Sequence, residues 1–173
     1  MPALRLGDPA PELSLSDLDG TTVSLTDYDG QPVAVVFTCC HCPYAVAWED
    51  RINEVARDYE GRAGVVAVNP NAGYLGDSPD DMRQRAAEKG FAFPFLYDER
   101  QEAARAYGAS RTPEVFVFDT DRRLVYHGAV DDNRDEEGVT QHYLRDAIEA
   151  ALAGETPQVA ETPPVGCTVK WRS

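Results

Sequence analysis

A chain of 173 residues is long enough for one compact domain, because a chain of roughly 150 already buries about 70% of its unfolded surface. Its 30 acidic and 16 basic residues give a formal net charge of -14, and the basic residues are scattered, so no basic face is offered to nucleic acid or to an anionic membrane. The acidic, lysine-poor composition fits a salt-rich cytoplasm as well as a coding bias toward arginine, alanine and valine, and speaks to solubility rather than to chemistry.

In chain order, the start Met1-Pro2-Ala3-Leu4-Arg5-Leu6-Gly7-Asp8 has no basic flank leading into an apolar stretch, and no segment approaches the ~20 apolar residues of a membrane span. The expectation is a soluble, cytoplasmic protein. Leu13-Ser14-Leu15, the Asp19-Gly20 turn and Thr22-Val23-Ser24-Leu25 predict a small hairpin, followed by a second turn at Asp29-Gly30. Val33 to Phe37 is an unbroken apolar run, the pattern of a strand buried on both faces. A helix follows from near Cys42 through Trp48, Ile52, Val55 and Tyr59, ending at Gly61.

Gly64 to Asn69 reads as a second buried strand, and Ser78 as the N-cap of a helix that has Pro79 at its first position and runs to Lys89-Gly90. Phe93 to Tyr97 is a short strand whose proline places it at an edge, and Gln101 to Tyr107 a short helix closed by Gly108. After Thr112-Pro113, Glu114 to Asp119 and Leu124 to Gly128 form an antiparallel hairpin. A last helix is predicted over about Val139 to Ala153. The result is an α/β domain over 1–155, a mixed central sheet flanked by helices with an N-terminal hairpin extension, and an irregular tail over 156–173 carrying Cys167.

Three of the four cysteines fall in Cys39-Cys40-His41-Cys42, between the first buried strand and the first long helix. Too few for a disulfide scaffold, they read in a reducing compartment as catalytic or metal-binding. Cys39 and Cys42 form a Cys-x-x-Cys pair at a helix start, where free N–H groups and the macrodipole favour thiolate, and a protonated His41 between them would add to that. His41 reads equally well as a plain loop residue, and Cys40 better as a small residue that happens to be cysteine.

The Cys-x-x-Cys helix start, Thr112-Pro113 before Val115-Phe116-Val117-Phe118-Asp119, and Gly7-Asp8-Pro9-Ala10-Pro11 together resemble the thioredoxin-like superfamily, and within it the AhpC/TSA-type peroxiredoxin-like branch. Cys39 to Tyr44 with the terminal Gly166-Cys167-Thr168-Val169-Lys170-Trp171 is similar to a group of peroxiredoxin-like thioredoxin-family proteins. The resemblance implies a thioredoxin-like fold, a cis Pro113 facing the dithiol beside Thr112, and thiol chemistry with no cofactor. Two assignments overlie the same residues. In the thioredoxin pattern Cys39 is the nucleophile and Cys42 resolves. In the peroxiredoxin pattern, Pro-x-x-x-Thr-x-x-Cys, Cys42 is the peroxidatic cysteine, but Val35 stands at its proline, Cys39 at its threonine, and Pro113 near its arginine with Arg111 two residues displaced.

The favoured reading is thiol–disulfide exchange led by Cys39 with Cys42 as partner, and hydroperoxide reduction through Cys42 is the runner-up. Cys167 is either a resolving cysteine or a spare thiol on a loose end. The partners implied are protein thiols or disulfides, a thioredoxin-type reductant and, in the runner-up, hydroperoxides. A second alternative is zinc or copper(I) held by Cys39, Cys42 and His41 with Cys167, to which His127 and His142 contribute only if the fold brings them near. A third is a non-catalytic interaction domain.

Overall fold

In the computed structural model, residues 4–71 and 73–172 are described; Met1 to Ala3 of the expected domain and Ser173 of the expected tail lie outside them. The elements are β1 (Ser14–Ser16), β2 (Thr22–Ser24), β3 (Val33–Phe37), α1 (Pro43–Asp58), β4 (Gly64–Asn69), α2 (Pro79–Lys89), β5 (Phe95–Tyr97), α3 (Glu102–Tyr107), β6 (Arg111–Thr112), β7 (Glu114–Phe118), β8 (Leu124–Gly128), α4 (Tyr143–Leu152) and β9 (Cys167–Thr168). Short 3₁₀ turns occupy Leu25–Tyr28 and Glu136–Gly138.

Five strands form the central sheet in the order β5-β4-β3-β7-β8. β3, β4 and β5 are parallel, and β7 and β8 antiparallel. Every residue of β3 is buried because both faces of the sheet are covered. Side chains alternate between the faces with period two. Ala34 and Val36 join Trp48, Ile52 and Val55 of α1, Met82 of α2 and Leu144, Ala147 and Ile148 of α4. Val33, Val35 and Phe37 face Ala103, Ala104 and Tyr107 of α3 and the hairpin's Leu13, Val23 and Leu25. Full burial of each large aliphatic side chain here contributes roughly 1.5–3 kcal/mol. The fold is thioredoxin-like, and none of its described helices is long and apolar enough to cross a membrane.

Local signals account for most boundaries. Ser78 caps α2 by accepting from Asp81 N–H, the Asp81 carboxylate answers the Ser78 N–H, and Gly90 closes the helix in the left-handed region at φ 61°. β5 begins at Phe95, past Pro94 and two residues later than expected, and lies at the sheet edge. The last helix begins at Tyr143 rather than Val139, because Asp132 accepts from the Thr140 and Gln141 backbone N–H groups and holds that segment as a loop.

The tail is irregular for most of its length but is tied to the body at two places. Residues 160–162 run beside β8, with His127 N–H donating to the Ala160 carbonyl and Thr162 N–H to the His127 carbonyl. A Cβ on Gly128 would stand 2.9 Å from the Thr162 nitrogen, so only glycine admits this approach. Farther on, the tail closes with β9, a two-residue strand absent from the sequence reading, which pairs antiparallel with β6.

Candidate active site

The β3 chain leaves the sheet after Thr38, whose N–H still donates to the Val68 carbonyl, and turns through Cys39-Cys40-His41 into α1. Cys42 is the N-cap of α1 and Pro43 fills the first helical position, where a missing N–H costs nothing. Cys42 is joined to Cys167 by a disulfide with Cα atoms 6.2 Å apart. Cys39, the favoured first nucleophile of the sequence reading, is a buried free thiol instead. It packs with Cys42, Ala45 and the partly buried Cys167 in one small apolar cluster.

Thr112 links the sulfurs. Its hydroxyl lies 3.5 Å from Cys39 Sγ and its carbonyl oxygen 3.6 Å from Cys42 Sγ. The peptide between Thr112 and Pro113 is cis, the conformation that the resemblance implied. Behind it, buried Glu114 fixes the loop by accepting from the Ser110 and Arg111 N–H groups, while its second oxygen meets His127 Nε2 at 2.5 Å.

β9 lies along this loop, with Thr112 opposite Cys167 and Arg111 opposite Thr168. Gly166 crosses so close that a Cβ there would be 2.6 Å from the Thr112 carbonyl carbon and nearer still to its oxygen. Beyond the disulfide, Val169 N–H donates to the Ser110 carbonyl and its side chain is buried. Lys170 N–H donates to Asn71 Oδ1 at 2.8 Å, Gln101 donates to the Lys170 carbonyl at 2.9 Å and accepts from Arg172 N–H at 2.9 Å, and Arg105 lies over the Trp171 ring. Cys167 is therefore on an anchored strand, not a loose end. Arg111 donates to the Gly166 carbonyl at 3.2 Å, so it serves the tail.

Asp77, fully buried, organises the other side of the cysteine loop. Its carboxylate accepts from Cys40 N–H and Asn69 Nδ2 and meets His41 Nδ1. His41, expected as an electrostatic aid to the cysteines, is thus turned to Asp77, with its ring beside Tyr74. Burial pushes the Cys39 thiol up from its ordinary value and the Asp77 charge adds to this, against partial relief from Thr112, the Cys42 N–H and Asn71. Cys40 is pushed up further by burial and Asp77 and is a poor nucleophile.

Cys39, His41 and Asp77 bring ligand atoms within 4.8 Å of one another, a mixed sulfur, nitrogen and oxygen set suited to a borderline-soft divalent metal. The ligand set expected from sequence differs, since Cys42 and Cys167 are committed to each other. His127 is turned to Glu114, and His142 caps α4 beside the groove containing Arg51. Neither belongs to the cluster found among the described residues. Sequence reasoning gave no role to Asp77, Asn69, Asn71 and Gln101, and read Gly166 only as part of the terminal motif. The only local signal was the polar loop after β4, since their roles arise from contacts distant in the chain.

The chain is similar to known proteins over most of its length. The sequence matches the AhpC/TSA family over residues 6–127. It is 28% identical over 123 residues to thiol-disulfide oxidoreductase ResA of Geobacillus thermodenitrificans, covering 70% of this chain and 68% of that protein. It is 32% identical over 113 residues to peroxiredoxin Bcp of Escherichia coli K12, covering 62% and 67%. The crystal structure of a hypothetical protein of Sinorhizobium meliloti 1021 superposes with a TM-score of 0.91 at 33% identity, over 99% of this chain and 97% of the other. With residues 6–127 matched and a cysteine at the start of α1, the chain belongs to the AhpC/TSA family.

Proposed function

We propose that the protein is a thiol–disulfide oxidoreductase of a reducing cytoplasm in which Cys42 is the working sulfur and Cys167 its partner within the chain. The disulfide between Cys42, at the N-terminus of α1, and Cys167, on a strand laid along Thr112-Pro113, carries this reading. Attack by an external thiolate on the half-buried Cys167 sulfur breaks the bond and leaves Cys42 as thiolate, the better leaving group because the helix N-terminus stabilises its charge. A second thiol of the donor then releases Cys167, so two electrons enter the protein as one dithiol becomes a disulfide. The reduced pair returns them to a substrate disulfide by the reverse steps. Thr112 positions the sulfurs, and a thioredoxin-type protein and protein disulfides are the partners this chemistry requires.

A second reading, an antioxidant peroxidase, is favoured by one observation. Cys42 occupies the peroxidatic position of the family pattern and has a separate resolving partner. Val35 and Cys39 in place of that pattern's proline and threonine, and Arg111 turned to the tail, make it the weaker reading. The test couples NADPH, thioredoxin reductase and thioredoxin to the oxidised protein, then adds either a protein disulfide or hydrogen peroxide. The proposal expects rapid reduction and turnover with the disulfide, lost in Cys42→Ser. Turnover only with peroxide would replace it by the second reading, and inertness to both would overturn the function.

A further inference from the structure

We propose that Cys39 is the inner thiol of a three-cysteine relay that moves the disulfide from Cys42–Cys167 to Cys39–Cys42. This inference rests on Cys42–Cys167 being the working disulfide. Cys39 is buried, in the same apolar cluster as both bonded sulfurs, so its partner must come from within the chain. The Thr112 hydroxyl lies 3.5 Å from its sulfur, and the Cys42 N–H and the Asn71 side chain both favour its thiolate. Asn71 is the telling one.

The Asn71 side chain is 99% buried, given its 1% exposure, and its Nδ2 is one of two buried side-chain nitrogens without a hydrogen-bond partner among the described residues. A buried donor left unpaired is unfavourable, and a thiolate on Cys39 supplies its missing acceptor. Its Oδ1 already holds the Lys170 N–H of the tail. One amide thereby connects the docked tail to the sulfur that would displace Cys167. Asn71 is a positioning residue in this scheme, acting through Cys39.

The step is balanced within the chain. Cys39 gives its proton to solvent base, its thiolate attacks Cys42 Sγ, the Cys39–Cys42 bond forms as the Cys42–Cys167 bond breaks, and the electron pair leaves with Cys167, which takes up a proton. Nothing is oxidised or reduced overall. Burial and Asp77 keep Cys39 protonated and slow its attack, with Cys40 and His41 in its own loop, Glu49 of α1 and Arg85 of α2 the other ionisable groups around it, while the docked tail holds the resting bond at Cys42–Cys167. Its product is a free Cys167 thiol on the half-buried outer strand, with the oxidising bond held inside.

The two disulfides are distinguishable by tryptic mapping after acid quenching and alkylation. Cys39 and Cys42 share the peptide 6–51, whereas Cys167 lies in 146–170, so Cys42–Cys167 yields a cross-linked pair and Cys39–Cys42 a single looped peptide. Oxidised protein held at pH 8 and sampled over time should convert in part from the cross-linked to the looped form, and Cys39→Ser should remain cross-linked. Asn71→Asp keeps an acceptor for Lys170 but removes the donor; conversion should slow about tenfold at pH 8. A purely structural Asn71 would leave Asn71→Asp at the wild-type rate, which would overturn its positioning role. If wild-type protein never yields the looped peptide while a dithiol still reduces the cross-linked pair, the relay is wrong and the oxidoreductase reading stands. A cross-linked pair that no dithiol reduces would overturn both.

Discussion

Gly166→Ala isolates the fit between tail and active-site loop. Gly166 does not occupy the left-handed region, so alanine brings no backbone penalty and the entire effect comes from one methyl group. That methyl would be 2.6 Å from the Thr112 carbonyl carbon and 3.1 Å from the Pro113 nitrogen, both backbone atoms held by the adjoining sheet. Ordinary carbon contact is about 3.5–4.0 Å, so β9 must retreat by roughly 1 Å. Forced overpacking of this kind costs typically 1–3 kcal/mol. In the reduced protein the tail escapes by lifting away, but the Cys42–Cys167 bond denies that escape to the oxidised form. A difference of about 2 kcal/mol between the forms, at about 30 mV per 1.4 kcal/mol for a two-electron couple, raises the midpoint potential by about 40 mV. Titration in glutathione buffers with thiol trapping measures it, and Val165→Ala on the exposed preceding residue is the control. A Gly166→Ala potential within about 10 mV of wild type, at the stated 30 mV per 1.4 kcal/mol, would refute the claim that this approach stabilises the disulfide.

Other expectations address different parts of the molecule. Arg51→Met leaves buried Asp131 with only the Trp48 N–H among its side-chain donors, and breaking such a pair should cost about 3 kcal/mol in urea unfolding; under about 1 kcal/mol would mean solvent replaces the guanidinium. Because the Cys39 thiol is raised above its ordinary value, its thiolate is scarce at neutral pH, and its alkylation rate should climb through pH 7 to 9 without a plateau. Asp77→Asn removes the charge that adds to this and should move the alkylation profile to lower pH; an upward or absent movement would contradict the assigned cause. The Cys42–Cys167 bond spans 125 residues, so loop-closure entropy puts its contribution to stability at about 5 kcal/mol, to be read by comparing oxidised protein with Cys167→Ser in denaturant; equal midpoints would show that the tail is not restrained in this way.

The sheet was legible because β3, β4 and β7 are covered on both faces and are apolar but for Asn69 and Glu114 at strand ends, and α2 because Ser78, Pro79 and Asp81 are local signals. The start of α4 was less so, since Asp132 caps the preceding loop from eight residues away. In the site, the cysteine cluster and Thr112-Pro113 were visible as short motifs, but their pairing was not. Spacing points to Cys39 and Cys42, whereas the bond joins Cys42 to a strand 125 residues distant. The bond places Cys167 where Gly166 meets the Thr112 peptide and leaves Cys39 a buried thiol beside Asp77, contacts that no window of sequence contains.

In the proposed relay two forces set how fast Cys42 changes partner. Close packing of Gly166 and the hydrogen bonds beyond Cys167 hold the outer partner, while the proton on Cys39, retained by burial and by Asp77, slows attack by the inner one. Gly166→Ala weakens the first and Asp77→Asn the second, so both should speed conversion to the Cys39–Cys42 form. Acting on different sulfurs, their free-energy effects should add if the two ends are independent. Asn71 makes independence doubtful on physical grounds, because its oxygen holds the tail and its nitrogen serves Cys39. A tail lifted by Gly166→Ala frees the Asn71 side chain to turn, removing a donor from Cys39 at the moment that Asp77→Asn has made thiolate easier to form. The double variant should therefore convert to the looped form more slowly than the summed effects of the single variants require, and strict additivity would mean that Asn71 carries no coupling between tail and thiol.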